Sequence, residues 1–156
     1  MNKQTEAVGY GGPVSAARAS LRIFGASLEP SEIDKLMGQA ASLSYRAGDQ
    51  VSPRVPVPRK IGMWLLKAES PSTQPLAEQI LALLGRVPGD EALWAHLKQQ
   101  YSVDIYCVLE LARENSGFEL PARAITEIAT RGLELQFDCY VVEHEDGDHE
   151  QQPSSP

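Results

Sequence analysis

GFELPARAITEIATRGLELQFDCY (117–140) decides the fold class of this chain. Its first half places Ala124, Ile125, Ile128 and Ala129 at helical spacing after Pro121, which suits a first helical turn, and Gly132 stops the run. The spacing predicts a helix over 120–131. From Gly132 the period becomes two: Leu133, Leu135, Phe137, Cys139 and Val141 alternate with Glu134, Gln136, Asp138, Tyr140 and Val142. A capped helix running into a strand with one apolar and one polar face describes an α+β domain, with helices against one side of the sheet.

The same alternation recurs upstream. In VDIYCVLEL (103–111), Val103, Ile105, Cys107 and Leu109 face inward and Asp104, Tyr106, Val108 and Glu110 outward. Between 17 and 26, Ala19, Leu21 and Ile23 oppose Ser20, Arg22 and Phe24. A short helix is expected after Pro30, with Ile33, Leu36 and Met37 inward and Gly38 as its stop. IGMWLLKAE (61–69) reads as a strand and 42–47 as a brief one. GDQVSPRVPVPRK (48–60) is expected to be an extended loop, because Pro53, Pro56 and Pro58 exclude a helix interior or a central strand. Leu76, Ile80, Leu83 and Leu84 form one helix face ended by Gly85, and Leu93, Trp94, Leu97 and Tyr101 another over 90–100. The expected order is βα(β)βααβαβ: a single mixed, mostly antiparallel sheet of four or five strands with three or four helices on one face, ferredoxin-like in topology.

With 156 residues the chain is long enough for one core. The expected organisation is an N-terminal arm over 1–16, a domain over 17–142 and a disordered acidic tail over 143–156. The formal net charge is −7, and residues 143–156 hold five acids and no Lys or Arg. Residues 1–142 therefore carry 14 basic against 16 acidic groups, or −2. No apolar run suits a membrane span or a secretory signal, so a cytoplasmic protein is expected. Cys107 and Cys139 lie in apolar strand patterns and read as small buried hydrophobes.

Five motifs occur in order: R-I-x-G (22–25), L-x-P-x-E-I-x-x-L-x-G (28–38), G-x-W (62–64) after the proline-rich loop, V-D-I-x-C (103–107) and G-L-x-L-x-F-D-x-Y (132–140). Together they resemble the bacterial domain-of-unknown-function family numbered 4279, over roughly 17–142. The resemblance implies a compact α+β domain in bacteria and no assigned activity, so no catalytic residue carries over. Ala40 and Ala41 before SLSYRAGD, and the proline-rich loop, depart from that pattern.

The chemistry-bearing residues are few. No GxSxG, GxxxxGK or strand-following GxGxxG occurs, and GYGGP precedes the first strand, which disfavours ordinary nucleophile and nucleotide sites. His96 falls within a helix, and His144 and His149 lie in EHEDGDHE without the spacing of a specific metal or calcium site, so neither metal nor cofactor is expected. The polar sheet face is the main candidate: Arg22, Asp104, Tyr106, Asp138 and Tyr140 project from it, joined by Lys67 or Trp64 according to which face Trp64 takes. Such a set can bind a polar ligand or perform acid–base work if its carboxylates have separated pKa values; the plainer and favoured reading is a solvated face of cross-strand pairs. A basic loop with Arg46, Arg54, Arg59 and Lys60 is the second candidate, for an acidic partner. Nucleic acid is disfavoured because the folded part is not basic and the loop lacks stacking aromatics. The expected function is a non-catalytic protein-binding domain, by analogy an immunity protein against a toxin. The alternatives are a small-ligand binder or enzyme using the polar face, and a homo-oligomer pairing through a sheet edge.

Overall fold

The strand that organises the molecule is the first. A computed structural model describes residues 12–113 and 115–142, and in it β1 spans Gly12–Gly25. It begins earlier than the alternation at Ala17 implies, so residues 12–16 of the expected arm are strand. The rest of that arm and the acidic tail lie outside the described residues. Ala17, Ala19, Leu21 and Ile23 are buried on one face of β1, while Arg18, Ser20, Arg22 and Phe24 lie on the other.

The remaining elements follow as α1 (Pro30–Met37), β2 (Leu43–Tyr45), β3 (Gln50–Ser52), β4 (Val55–Pro58), β5 (Gly62–Lys67), α2 (Leu76–Leu84), α3 (Glu91–Gln100), β6 (Ser102–Leu111), β7 (Ser116–Gly117), α4 (Ala122–Thr130) and β8 (Glu134–Val141). The main sheet has six strands: β2-β5-β1-β6-β8 in order, with β7 pairing β1 at Gly12 and Pro13. β1 is antiparallel to both β5 and β6, and β8 is parallel to β6. This corrects the ferredoxin-like expectation. The β5-to-β6 connection does cross over an intervening strand, as in a split βαβ unit, but α4 joins two strands that are direct neighbours.

All four helices feed one core. Ile33 and Met37 of α1, Leu76, Ile80, Leu83 and Leu84 of α2, Trp94 and Leu97 of α3 and Ile128 of α4 meet Leu21, Ile23, Trp64, Leu66, Val103, Ile105, Cys107 and Leu109 of the sheet. Caps agree with the sequence at several ends. Pro30 opens α1 and Gly38 closes it in the left-handed region at φ 72°, while the Asp90 carboxylate accepts from the Ala92 amide at 3.0 Å. Gly25 and Gly62 face each other across β1 and β5, and a Cβ on Gly25 would stand 2.5 Å from the Tyr101 ring.

Four expectations need correction. Leu36, assigned inward, is 41% exposed, and Ile125 of α4 is 52% exposed, because each helix offers the core a narrower stripe than its apolar residues span. Cys139 is exposed rather than buried. It lies on the helix-side face of β8, but β8 is an edge strand among the described residues and leaves this side chain exposed. Residues 48–60 are not simply a loop: β3 and β4 pair as a separate two-stranded ribbon, which accommodates Pro56 and Pro58 because no central ladder is interrupted.

β5 ends opposite Ser20, so the β1 backbone at Ala17 and Ala19 lacks a strand partner on that side. Gln79 of α2 completes it. Its carboxamide oxygen accepts from the Ala19 amide at 3.2 Å and its Nε2 donates to the Ala17 carbonyl at 2.7 Å, in full burial. Replacing Gln79 with Leu leaves both groups unpaired and is expected to lower the urea-unfolding free energy by about 1–3 kcal/mol. Exposed Glu78→Gln on the same helix is the control, and equal stability for the two variants would contradict this role for Gln79.

Candidate functional site

The two-residue alternation that buries Ile105 and Cys107 turns Asp104, Tyr106, Val108 and Glu110 to the side that, among the described residues, no helix covers. The register brings Arg22 of β1 opposite Asp104, and Gln136 of β8 opposite Tyr106. The Arg22 guanidinium holds the Asp104 carboxylate with two parallel bonds, Nε to Oδ1 and Nη2 to Oδ2, both at 2.7 Å. Nη2 also donates to Gln136 Oε1 at 3.3 Å. The pair is well covered, with side-chain exposures of 17% and 9%. The guanidinium plane lies 4.0 Å from the Tyr106 ring centre and 5.0 Å from that of Phe24.

From Tyr106 the network continues to the sheet edge. The hydroxyls of Tyr106 and Tyr140 donate to the same oxygen, Oδ2 of Asp138, at 2.8 and 2.6 Å. Tyr140 first, then Tyr106, holds the Asp138 carboxyl below its ordinary value, since both bonds favour the ionised form. Each phenol is in turn pushed up from its ordinary value, chiefly by its bond to Asp138. Beside this chain, Arg18 and Glu110 form a more exposed pair at 2.6 Å.

Arg22, Asp104, Tyr106, Asp138 and Tyr140 thus form one continuous array. Lys67 lies on the same face, opposite Ser20, and is exposed. Its backbone is engaged, the amide by Ser42 Oγ and the carbonyl by Arg86. Trp64 faces the other way. It is fully buried, and its Nε1 donates to Asp34 Oδ1 at 2.8 Å, so its place is the core. The basic residues of 46–60 do not converge. Arg46 pairs with Glu29 at 2.6 Å, Arg59 stacks over Tyr45 at 4.0 Å, and Arg54 and Lys60 are exposed on or beside the ribbon.

Sequence reasoning left Gln136, Arg18 and Glu110 outside the candidate set, although their strand positions place all three on the same face. Gln79, Asp34 and Arg131 were also missed. Gln79 had a signal, a polar residue between the core positions Leu76 and Ile80. Arg131 is buried and donates to Glu127 and to the Leu84 and Pro88 carbonyls, tying the end of α4 to the α2–α3 link.

The arrangement suits recognition better than proton transfer. Asp104 is committed to Arg22, and Asp138, with a lowered pKa, is a weak base at neutral pH. A cavity of about 340 Å³ is lined by Asp104, Glu134, Gln136, Lys98 and Tyr101 but does not include Asp138. A larger one of about 590 Å³, between Val14, Pro75 and Phe118, includes neither carboxylate. Cys107 is buried, and burial followed by the Asp104 charge pushes its thiol up to about 12, which removes it as a nucleophile at neutral pH. Among the described residues no three His, Cys, Asp or Glu side chains converge as metal ligands, and no helix is long and apolar enough to cross a membrane.

Fold and site together define an α+β domain built on one six-stranded mixed sheet and a small two-stranded ribbon, with helices on one side of the main sheet and a charge-paired surface bearing Tyr106 and Tyr140 on the other. The family model described as a domain of unknown function, DUF4279, matches residues 15–142, and the chain belongs to that family. No curated protein and no solved structure matches the chain.

Two predictions follow from this geometry. Arg22→Met strands a covered carboxylate and is expected to lie near the lower end of the roughly 3–5 kcal/mol cost of breaking a buried pair. The double variant Arg22→Met/Asp104→Leu should recover part of this, with a coupling of about 0.5–3 kcal/mol in a double-mutant cycle, and additive costs would refute the pair. For Asp138, the folded-state pKa lies below its unfolded value, so its bonds contribute above the ordinary carboxylate range and are lost as pH falls through the lowered value. Tyr140→Phe should raise the Asp138 pKa in a carboxyl-detected NMR titration; an unmoved value would show that Tyr140 does not set it.

Proposed function

We propose that this chain is a non-catalytic protein-binding domain whose contact surface is the helix-free face of the sheet. The observation that carries the reading is the array Arg22–Tyr106–Asp138–Tyr140, in which rigid aromatic and guanidinium groups are pre-positioned by mutual bonds yet remain accessible at the Tyr140 end. Tyr and Arg are among the side chains that most often concentrate interface energy, Tyr because it buries a large area with few rotors to freeze and Arg because its planar guanidinium offers several donors and stacks on aromatic rings. A network already satisfied in the free protein also lowers the ordering cost of association.

In its narrower form the proposal makes the partner a toxin and this domain its immunity protein, acting by occlusion. Growth of cells expressing a toxic neighbouring gene product tests that form: rescue by the wild type and not by Tyr140→Ala supports it, and rescue by both removes the open face from it. The general form is tested by affinity capture at native expression, comparing the wild type with Tyr106→Ala/Tyr140→Ala, whose circular dichroism should match. A partner retained by the wild type and weakened at least tenfold in the variant is expected. Equal retention would overturn the open-face assignment.

A further inference from the structure

The two edges of the sheet are unlike. β2, at one edge, has three residues and leads into the proline-bearing ribbon, so it offers little for another chain to pair with. β8, at the other, runs eight residues from Glu134 to Val141 and pairs with β6 alone among the described residues. The Val142 amide donates to the Leu111 carbonyl, so strand alternation turns the amides of Tyr140, Asp138 and Gln136 towards β6 as well. Those of Phe137, Cys139 and Val141 then point outward with their carbonyls, a row of donors and acceptors in register for a further strand.

Among the described residues this edge has neither a proline nor a register shift to blunt it. Residues 133–142, LELQFDCYVV, contain no Pro, Gly, Lys or Arg. Phe137, Tyr140, Val141 and Val142 are exposed apolar or aromatic side chains, and Cys139 is exposed between them. Phe137 is steadied by Phe118 at a ring separation of 5.3 Å, which extends an apolar strip along the helix-side face.

Charge identifies the occupant. Residues 132–156 contain Glu134, Asp138, Glu143, Glu145, Asp146, Asp148 and Glu150 and no Lys or Arg. Their formal −7 equals the net charge of the whole chain, so residues 1–131 balance at 14 basic and 14 acidic groups. A second copy of β8 would set carboxylates against carboxylates, whereas a cationic strand meets complementary charge on approach and on the open face.

We propose that β8 is the docking edge for an extended cationic segment of a partner protein, which adds to the sheet as a further strand. Its alternate Lys or Arg residues lie over Glu134, Asp138 and the tyrosines, and its intervening aliphatic residues pack on Phe137, Cys139 and Val141. Edge addition supplies affinity through the backbone, and the alternating side chains supply choice of partner. This deepens the protein-binding reading and rests on it, since Asp138 and Tyr140 belong to both surfaces.

The test uses the full chain and an eight-residue peptide of alternating Lys and Val, followed by amide NMR. Three further peptides are compared: the same sequence N-methylated at alternate residues on one edge, the same N-methylated on the other edge, and an alternating Glu–Val peptide. The expected result is saturable binding with shifts along 135–141, weakened at least tenfold by one of the two methylation patterns, absent for Glu–Val, and reduced by salt. Cys139→Pro removes an outward amide without removing a bond to β6, so it should keep the fold and lose the peptide. Tyr140→Phe keeps the edge and should retain most of the binding. Shifts confined to the acidic tail and indifferent to both methylation patterns would overturn the proposal as simple charge adsorption. Equal binding of the Glu–Val peptide, or a wild-type dimer in sedimentation that Cys139→Pro dissociates, would also overturn it. Shifts on Arg22 and Tyr106 without β8 would overturn edge docking while leaving open-face binding intact.

Discussion

β1 has to satisfy two solvents at once, and most of the molecule follows from how it does so. As the middle strand it carries antiparallel neighbours on both sides. Its odd-numbered residues from Ala17 to Ile23 are committed to the helices, and its even-numbered residues are left for water or a partner. The small side chains of Ala17 and Ala19 leave space for α2, and Gln79 of that helix replaces the strand bonds that β5 is too short to provide. Where β5 does reach, Gly25 and Gly62 keep the strands clear of Tyr101 and Leu28. A one-residue shift in register would exchange these faces throughout, exposing Leu21 and burying Arg22.

The Arg22–Asp104 pair shows how the uncovered face is made specific rather than merely polar. An ion pair in bulk water contributes little, but this one is bidentate, roofed by Tyr106 and largely shielded from solvent. It fixes the ring that in turn holds Asp138, so geometry passes from the middle of the sheet to its edge through three side chains. Asp138 keeps its charge to lower pH than an ordinary aspartate because Tyr140 and Tyr106 stabilise the ionised form. The result is a firm anionic and aromatic rim beside an edge that, among the described residues, has no second strand partner.

Much of this was legible in the sequence. Period-two alternation assigned the open-face sides of Arg22, Asp104, Tyr106, Asp138 and Tyr140, because each sits in a strand whose other face is almost wholly apolar. Helix ends were legible where Pro30, Gly38 and Asp90 carry their own stereochemical reasons. Strand order was not, because alternation reports facing and says nothing of neighbours; the ferredoxin-like expectation failed at the β6–β8 parallel pair. Burial along β8 was misread for the same reason, since Cys139 points to the helix side but sits on an edge strand, where it is exposed among the described residues. Trp64 could have taken either face, and its indole nitrogen is placed in the core by Asp34, thirty positions away in sequence.

Amide hydrogen exchange along β8 in the free chain tests the account most directly, because the open edge is what the proposed contacts require. The account predicts an alternation. The amides of Gln136, Asp138, Tyr140 and Val142 exchange slowly through their bonds to β6, and those of Phe137, Cys139 and Val141 exchange rapidly. Uniform protection from 136 to 142, independent of protein concentration, would mean that the edge is already covered within the chain and would contradict it.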